Sequence, residues 1–160
     1  MLLNRSVFAL LLAASVTLFT GCASLPSPEA MKAQTASYNL PQVPPPGKAI
    51  VYVVRPSALG GLVRFNVFVD DQEPASEMGY TRSSQYIYFS VAPGDHKIYS
   101  KAENWAETLI SVKEGDVVFL QQEPSMGIIM ARNNMFKLEG YEGKYHVKTL
   151  AVGTVIKVEK

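Results

Sequence analysis

The side chains able to do chemistry in this chain are few, and most stand too far apart to act together. His96 and His146 are fifty residues apart, with no HxH or HExxH spacing. They therefore lack the paired geometry that a zinc site or a metalloprotease needs. His96 follows Pro93-Gly94-Asp95, and it reads as a hairpin residue bonding to nearby backbone. Asp70-Asp71 could begin a calcium loop, but no further acids follow at loop spacing, so turn-capping aspartates are expected instead. Gly60-Gly61 lacks the Lys-Ser/Thr of a phosphate loop, and no GxSxG elbow occurs. No catalytic residue, metal ligand or cofactor is expected, and the chain is read as non-enzymatic. The single cysteine, Cys22, excludes an intrachain disulfide framework, a CxxC redox pair and a Cys-rich zinc site.

Cys22 closes an apolar N-terminal segment. Residues 1–5 carry Arg5 and the α-amino charge, and residues 6–20 run fifteen positions without a charge. That is shorter than the roughly 20 apolar residues of a membrane-crossing helix, and it fits the apolar part of a secretory signal. Leu18-Phe19-Thr20-Gly21-Cys22 resembles a bacterial lipobox, with Phe19 where the pattern prefers Leu. The resemblance implies cleavage before Cys22, a diacylglyceryl group on its thiol and an acylated α-amine such as palmitate. Acyl chains contribute ~0.8 kcal/mol per buried CH₂, so several of them anchor firmly. Ala23-Ser24 follow, with no Asp after the cysteine. By the same resemblance this implies the outer membrane of a Gram-negative cell, facing the periplasm. The alternatives are an ordinary signal cut elsewhere and an uncleaved anchor.

The chain divides into a signal segment over 1–21, a lipidated N-terminus with a proline-rich tether over 22–47, and a folded domain over 48–160. Six of the ten prolines fall in the tether: Pro26, Pro28, Pro41, Pro44, Pro45 and Pro46. Treated as flexible coil, it would span roughly 25–30 Å, with at most a short helix over 29–37. The whole has 160 residues, 48% hydrophobic, and a formal charge of +1. That suits one modest domain with a real core, and the scattered Lys and Arg argue against nucleic acid.

The domain reads as all-β, an antiparallel β-sandwich of immunoglobulin or transthyretin type, with a short C-terminal helix as one option. Residues 48–55 form a strong β-branched run stopped by Pro56, and 63–70 alternate with Val63, Phe65, Val67 and Val69 on one face. Residues 85–91 and 96–101 are expected to pair across an Ala92-Pro93-Gly94-Asp95 turn, and 105–113 and 117–122 across Glu114-Gly115-Asp116. Strand-length runs parted by turns every 8–12 residues favour a sandwich or barrel. Beyond Pro124 the pattern weakens. Residues 126–130 (MGIIM) read as a strand, Asn133-Asn134 as a turn, 137–150 as either strand or helix, and 154–160 as a strand that frays.

The segments GKAIVYVVRP, VFVDDQEP, GYTRSSQYIYFSVAPGDHKI and EGDVVFLQQ together resemble a family of small bacterial lipoproteins known only as a domain of unknown function. Its core is similar to the PEGA and transthyretin-like β-sandwich modules. The matching features are Phe68-Val69-Asp70 at a strand end, Pro93-Gly94-Asp95-His96, and Glu114-Gly115 before an aromatic strand. The resemblance covers 47–122, and Asp71 departs from the glycine common after the strand-end acid. It implies a fold and a compartment, and no activity.

One feature could form a binding surface. Ile87, Phe89 and Val91 should face one side of their strand, and Tyr86, Tyr88 and Ser90 the other, with Tyr99 and Trp105 nearby. A Tyr86–Tyr88–Tyr99–Trp105 strip could stack on sugar rings or receive a partner protein. The competing expectation is cross-strand aromatic pairing under cover. The partners expected are the membrane, through the N-terminal lipid, and either an envelope protein or peptidoglycan.

Overall fold

The run Ala-Ile-Val-Tyr-Val-Val-Arg forms β1 (Ala49–Arg55), and every residue of it is buried. A strand carries unbroken apolar sequence when both its faces are covered. The computed structural model describes residues 25–160. Within them β1 follows α1 (Pro28–Thr35) and precedes β2 (Phe65–Val69), a 3-10 turn (Pro74–Ser76), β3 (Glu77–Thr81) and β4 (Gln85–Val91). Then come β5 (Gly94–Lys101), β6 (Trp105–Val112), β7 (Val117–Met126), β8 (Ala131–Lys137), α2 (Gly140–Thr149), β9 (Ala151–Val152) and β10 (Thr154–Val155). One sheet runs β8-β7-β1-β4-β9 and the other β10-β3-β2-β5-β6. The fold is the expected sandwich with a short C-terminal helix. Its first sheet is mixed, since β1 is antiparallel to β4 but parallel to β7, and β9 is parallel to β4.

Between the sheets, Val51, Val53, Ile87, Phe89 and Val91 meet Val67, Val69, Met78, Ile98 and Ile110. The alternation in β4 follows the sequence pattern, with Ile87, Phe89 and Val91 inward. A second apolar cluster lies on the other face of the first sheet. There Ile50, Tyr52, Val54, Tyr86 and Phe119 pack with Val147 of α2 and with Tyr38 and Leu40. The proline-rich segment is thus part of the body rather than a free spacer. Ser27 caps α1 through a 3.3 Å bond from the Ala30 amide, and Met31 and Thr35 are buried. Farther on, the Tyr52 hydroxyl donates to the Gln42 carbonyl at 2.7 Å and accepts from the Gln42 amide at 2.9 Å.

Several local expectations are corrected. The turns at Pro93-Gly94 and at Glu114-Gly115-Asp116 do not close hairpins, because β4 and β5, and likewise β6 and β7, belong to different sheets. Period-2 alternation marks a strand's faces but not its partner. The consecutive strands that pair antiparallel are β2–β3, β5–β6 and β7–β8. Asn133 and Asn134 lie within β8, not in a turn, and of MGIIM only Met126 ends a strand, residues 127–130 forming the β7–β8 connection. The C-terminus does not fray. Ile156 and Lys157 donate to the Met78 carbonyl at 2.9 and 3.1 Å, Ser90 donates to Val158 at 2.8 Å, and Glu159 pairs with Lys48.

Helix α2 sits close to the first sheet because Gly143 faces Phe119, and a Cβ there would overlap the ring. Gly143→Ala is expected to destabilise the fold by about 1–3 kcal/mol through overpacking, read as a lowered urea midpoint. In the same helix His146 is 1% exposed, and its Nε2 has no hydrogen-bond partner among the described residues. Burial holds its imidazole below the usual histidine range. The unfolded chain therefore takes up this proton more readily than the folded one. Stability is full above the unfolded-state value of about 6.5 and declines as the pH falls through it towards the folded value. Urea midpoints should be lower near pH 5 than near pH 7.5 (both taken around that ~6.5 value), and His146→Leu should narrow the gap. An unchanged gap would refute this assignment.

Candidate functional site

The four aromatic residues singled out from sequence do not share a surface. Tyr86 is buried and Tyr88 half-buried on the helix-covered face of the first sheet, each with its ring 6.0 Å from that of Tyr52. Tyr99 and Trp105 lie on the outer face of the second sheet, where their rings meet edge-on at 6.2 Å. Phe68 packs 5.2 Å from Trp105, and the Lys101 ammonium stands 4.5 Å from the indole. Cross-strand pairing therefore accounts for both aromatic groups. Cys22 lies outside the described residues. His96 lies in β5 rather than in a hairpin turn, its Nδ1 3.0 Å from the Asp70 carboxylate and its Nε2 2.8 Å from the Ala92 carbonyl. Among the described residues no group of three or more His, Cys, Asp or Glu is placed to hold a metal ion.

The distinctive surface is one that the sequence pattern concealed. At the end of the sandwich where β1 finishes, two loops carry large apolar side chains into solvent. Leu62 is 92% exposed in the β1–β2 loop, and Met126, Ile128 and Ile129 are 81%, 90% and 88% exposed at the β7–β8 connection. Burying each such side chain is worth about 1.5–3 kcal/mol, so leaving four of them in water is a substantial forfeit for a folded domain. Contiguous exposed apolar patches of this kind mark interaction sites.

Charged side chains hold these loops in shape. The Glu103 carboxylate, in the β5–β6 turn, accepts from the amides of Met130 at 2.7 Å, Ile129 at 2.9 Å and Ile128 at 3.1 Å. These amide bonds, led by that of Met130, hold the Glu103 carboxyl below the usual range. Next to it, Asn104 donates to the Asn133 carbonyl at 2.9 Å and accepts from the Asn133 amide at 2.8 Å. Together they fasten the β5–β6 hairpin of one sheet to the β7–β8 hairpin of the other.

The opposite chemistry organises the β1–β2 loop. Arg55 is fully buried, stacks 3.7 Å from the Phe65 ring, and donates to the carbonyls of Val63, Gly60 and Leu59 at 2.7, 2.8 and 2.9 Å. Burial lowers its guanidinium to about 10, so it stays charged at neutral pH. Gly60 has φ +63°, and a Cβ on it would come 2.6 Å from the Ala131 Cβ. Only glycine lets the two loops touch here. Beneath them, buried Gln122 accepts from the Thr81 hydroxyl and donates to Ser100 Oγ at 2.8 Å, linking β7 to the second sheet.

The surroundings of this apolar tip are basic. All four arginines of residues 25–160 (Arg55, Arg64, Arg82 and Arg132) stand at this end. Arg64 and Arg82 flank the Tyr80 ring at 5.0 and 5.5 Å, and a cleft brings Leu62, Arg64, Arg82, Lys101 and Met130 together. Asp70, Asp71, Glu114 and Asp116 lie at the other end, in the loops beside the start of β1, with Asp95 at the start of β5. A run of MGIIM read by apolar content alone gives a strand. The signal for a connection was Gly127 in its midst.

Comparison with known proteins adds kinship without an activity. A family described as a protein of unknown function, DUF2846, matches residues 45–136. An uncharacterized protein of Haemophilus influenzae is 23% identical over 134 residues, which is 83% of this chain and 76% of that protein. No solved structure matches.

Because three amides converge on one carboxylate, Glu103→Gln should expose them. Removing this charged acceptor should quicken amide exchange at Ile128, Ile129 and Met130. Exchange in the core of β1 should not change, and unaltered protection of the three amides would refute the clasp.

Proposed function

We propose that this chain, which belongs to the DUF2846 family of proteins of unknown function, is a non-catalytic, lipid-anchored envelope module with an accessory or adaptor role. The observation that carries the reading is the exposed apolar tip at Leu62, Met126, Ile128 and Ile129. A domain that spends polar networks on holding such side chains in water is built to bind rather than to convert. The lipobox-like Leu18-Phe19-Thr20-Gly21-Cys22 supports attachment through Cys22 to the outer membrane of a Gram-negative cell, facing the periplasm. The PEGA and transthyretin-like character of the core belongs to the same reading, as a sandwich that displays loops at one end.

A second reading, a module for glycan or peptidoglycan fragments, is favoured by the Tyr99–Trp105 pair with Lys101 above the indole. Aromatic faces beside a cation suit sugar stacking, although only two of the four aromatics remain available to it. Attachment is tested directly. Cys22→Ser is expected to abolish labelling by palmitate and to move the chain out of the detergent phase on phase separation. Unchanged partitioning would sink the anchor.

A further inference from the structure

The apolar tip has a surround that selects its partner. We infer that Leu62, Met126, Ile128 and Ile129 insert into an anionic lipid surface, with Arg64, Arg82 and Arg132 at the headgroup level. The inference rests on the reading of this end as the binding surface, and it names what is bound.

Three observations carry it. First, the apolar side chains of the tip stand out into solvent. The most exposed of them project from two loops, 88–92% exposed for Leu62, Ile128 and Ile129. A fluid lipid surface accommodates such a projection without a matching pocket. Second, the cations stand around the apolar centre, as Leu62, Arg64, Arg82, Lys101 and Met130 share one cleft and Arg132 is exposed one residue beyond Ala131. Apolar side chains flanked by cations match the acyl boundary and the anionic headgroups above it. Arginine also keeps its charge at the interface while its stem lies along apolar surface. Third, the acids of this end are already engaged: Glu103 turns its carboxylate onto the amides of residues 128–130, and half-buried Glu123 accepts from the Gln121 side-chain amide at 2.6 Å. The Glu103 bonds cover backbone donors that would be costly to bring unsatisfied towards hydrocarbon.

The test uses the full chain reconstituted into vesicles of phosphatidylethanolamine with phosphatidylglycerol, or of phosphatidylcholine alone. An environment-sensitive dye is placed through Ile128→Cys at the tip or through Glu114→Cys at the opposite end. The dye at 128 is expected to shift to the blue in anionic vesicles and to be quenched by a lipid-borne nitroxide. The dye at 114 should stay aqueous. Adding Arg64→Gln, Arg82→Gln and Arg132→Gln should reduce the shift at 128. So should the Ile129→Asp change, while either protein still floats with its vesicles through its acyl chains. A dye at 128 that stays aqueous in both lipids overturns the inference. So does one that becomes protected only when envelope proteins are added, which would assign the tip to a protein partner. Flotation reports the anchor separately: a chain that fails to float refutes acylation, and the same dye, read after adding anionic vesicles to it, still decides the tip.

Discussion

Coverage of the first sheet on both faces is the constraint from which the rest of the architecture follows. β1 presents Val51 and Val53 to the sandwich interior and Ile50, Tyr52 and Val54 to the opposite side. A two-layer sandwich would leave that second set in water. The chain supplies a third layer from both ends: α1 and the proline-rich strap before β1, and α2 after β8. Tyr52 is the hinge of this arrangement, since its ring stacks 5.5 Å from Phe119 while its hydroxyl holds the strap at Gln42. Apolar burial supplies the drive, and a paired buried hydroxyl fixes where the strap lies.

The two ends of the sandwich are built on different principles. Towards the start of β1, closure depends on short turns and on ion pairs such as Lys48–Glu159. Towards its finish, the interior turns polar: Arg55, Thr81, Ser100, Gln122 and Asn133 are all buried there. Buried polar groups are tolerable only when paired. Here Thr81, Gln122 and Ser100 pair with one another across the sheets, while the Arg55 guanidinium is directed at loop carbonyls, so part of the penalty of burial is converted into loop shape. Arg55 reads carbonyls and Glu103 reads amides. Each loop it shapes carries the apolar side chains that the core does not take.

Much of this was legible in the sequence, and the part that was not has a common cause. The β-branched run of β1 and the alternation of β4 could each be read because they depend on local periodicity. What could not be read was partnership. Whether Pro93-Gly94 returns a strand to its own sheet or sends it to the other depends on the whole topology, and so does the docking of residues 28–46. The aromatic strip failed for the same reason: Tyr88 and Tyr99 are eleven positions apart, but they sit on opposite outer faces. The tip was hidden because Ile and Met in a strand and Ile and Met on a loop have identical composition.

The docked strap also sets a leash length. A free segment of 25 residues would let a body wander well away from its anchor, but α1 begins at Pro28 and is fastened to the sandwich. Only residues 23–27 separate Cys22 from that helix, a contour of at most about 22 Å when fully drawn out. On the proposed attachment, the domain would ride against its own membrane. Any contact it makes there becomes an intramolecular event, and one too weak to hold a free protein would suffice at that local concentration.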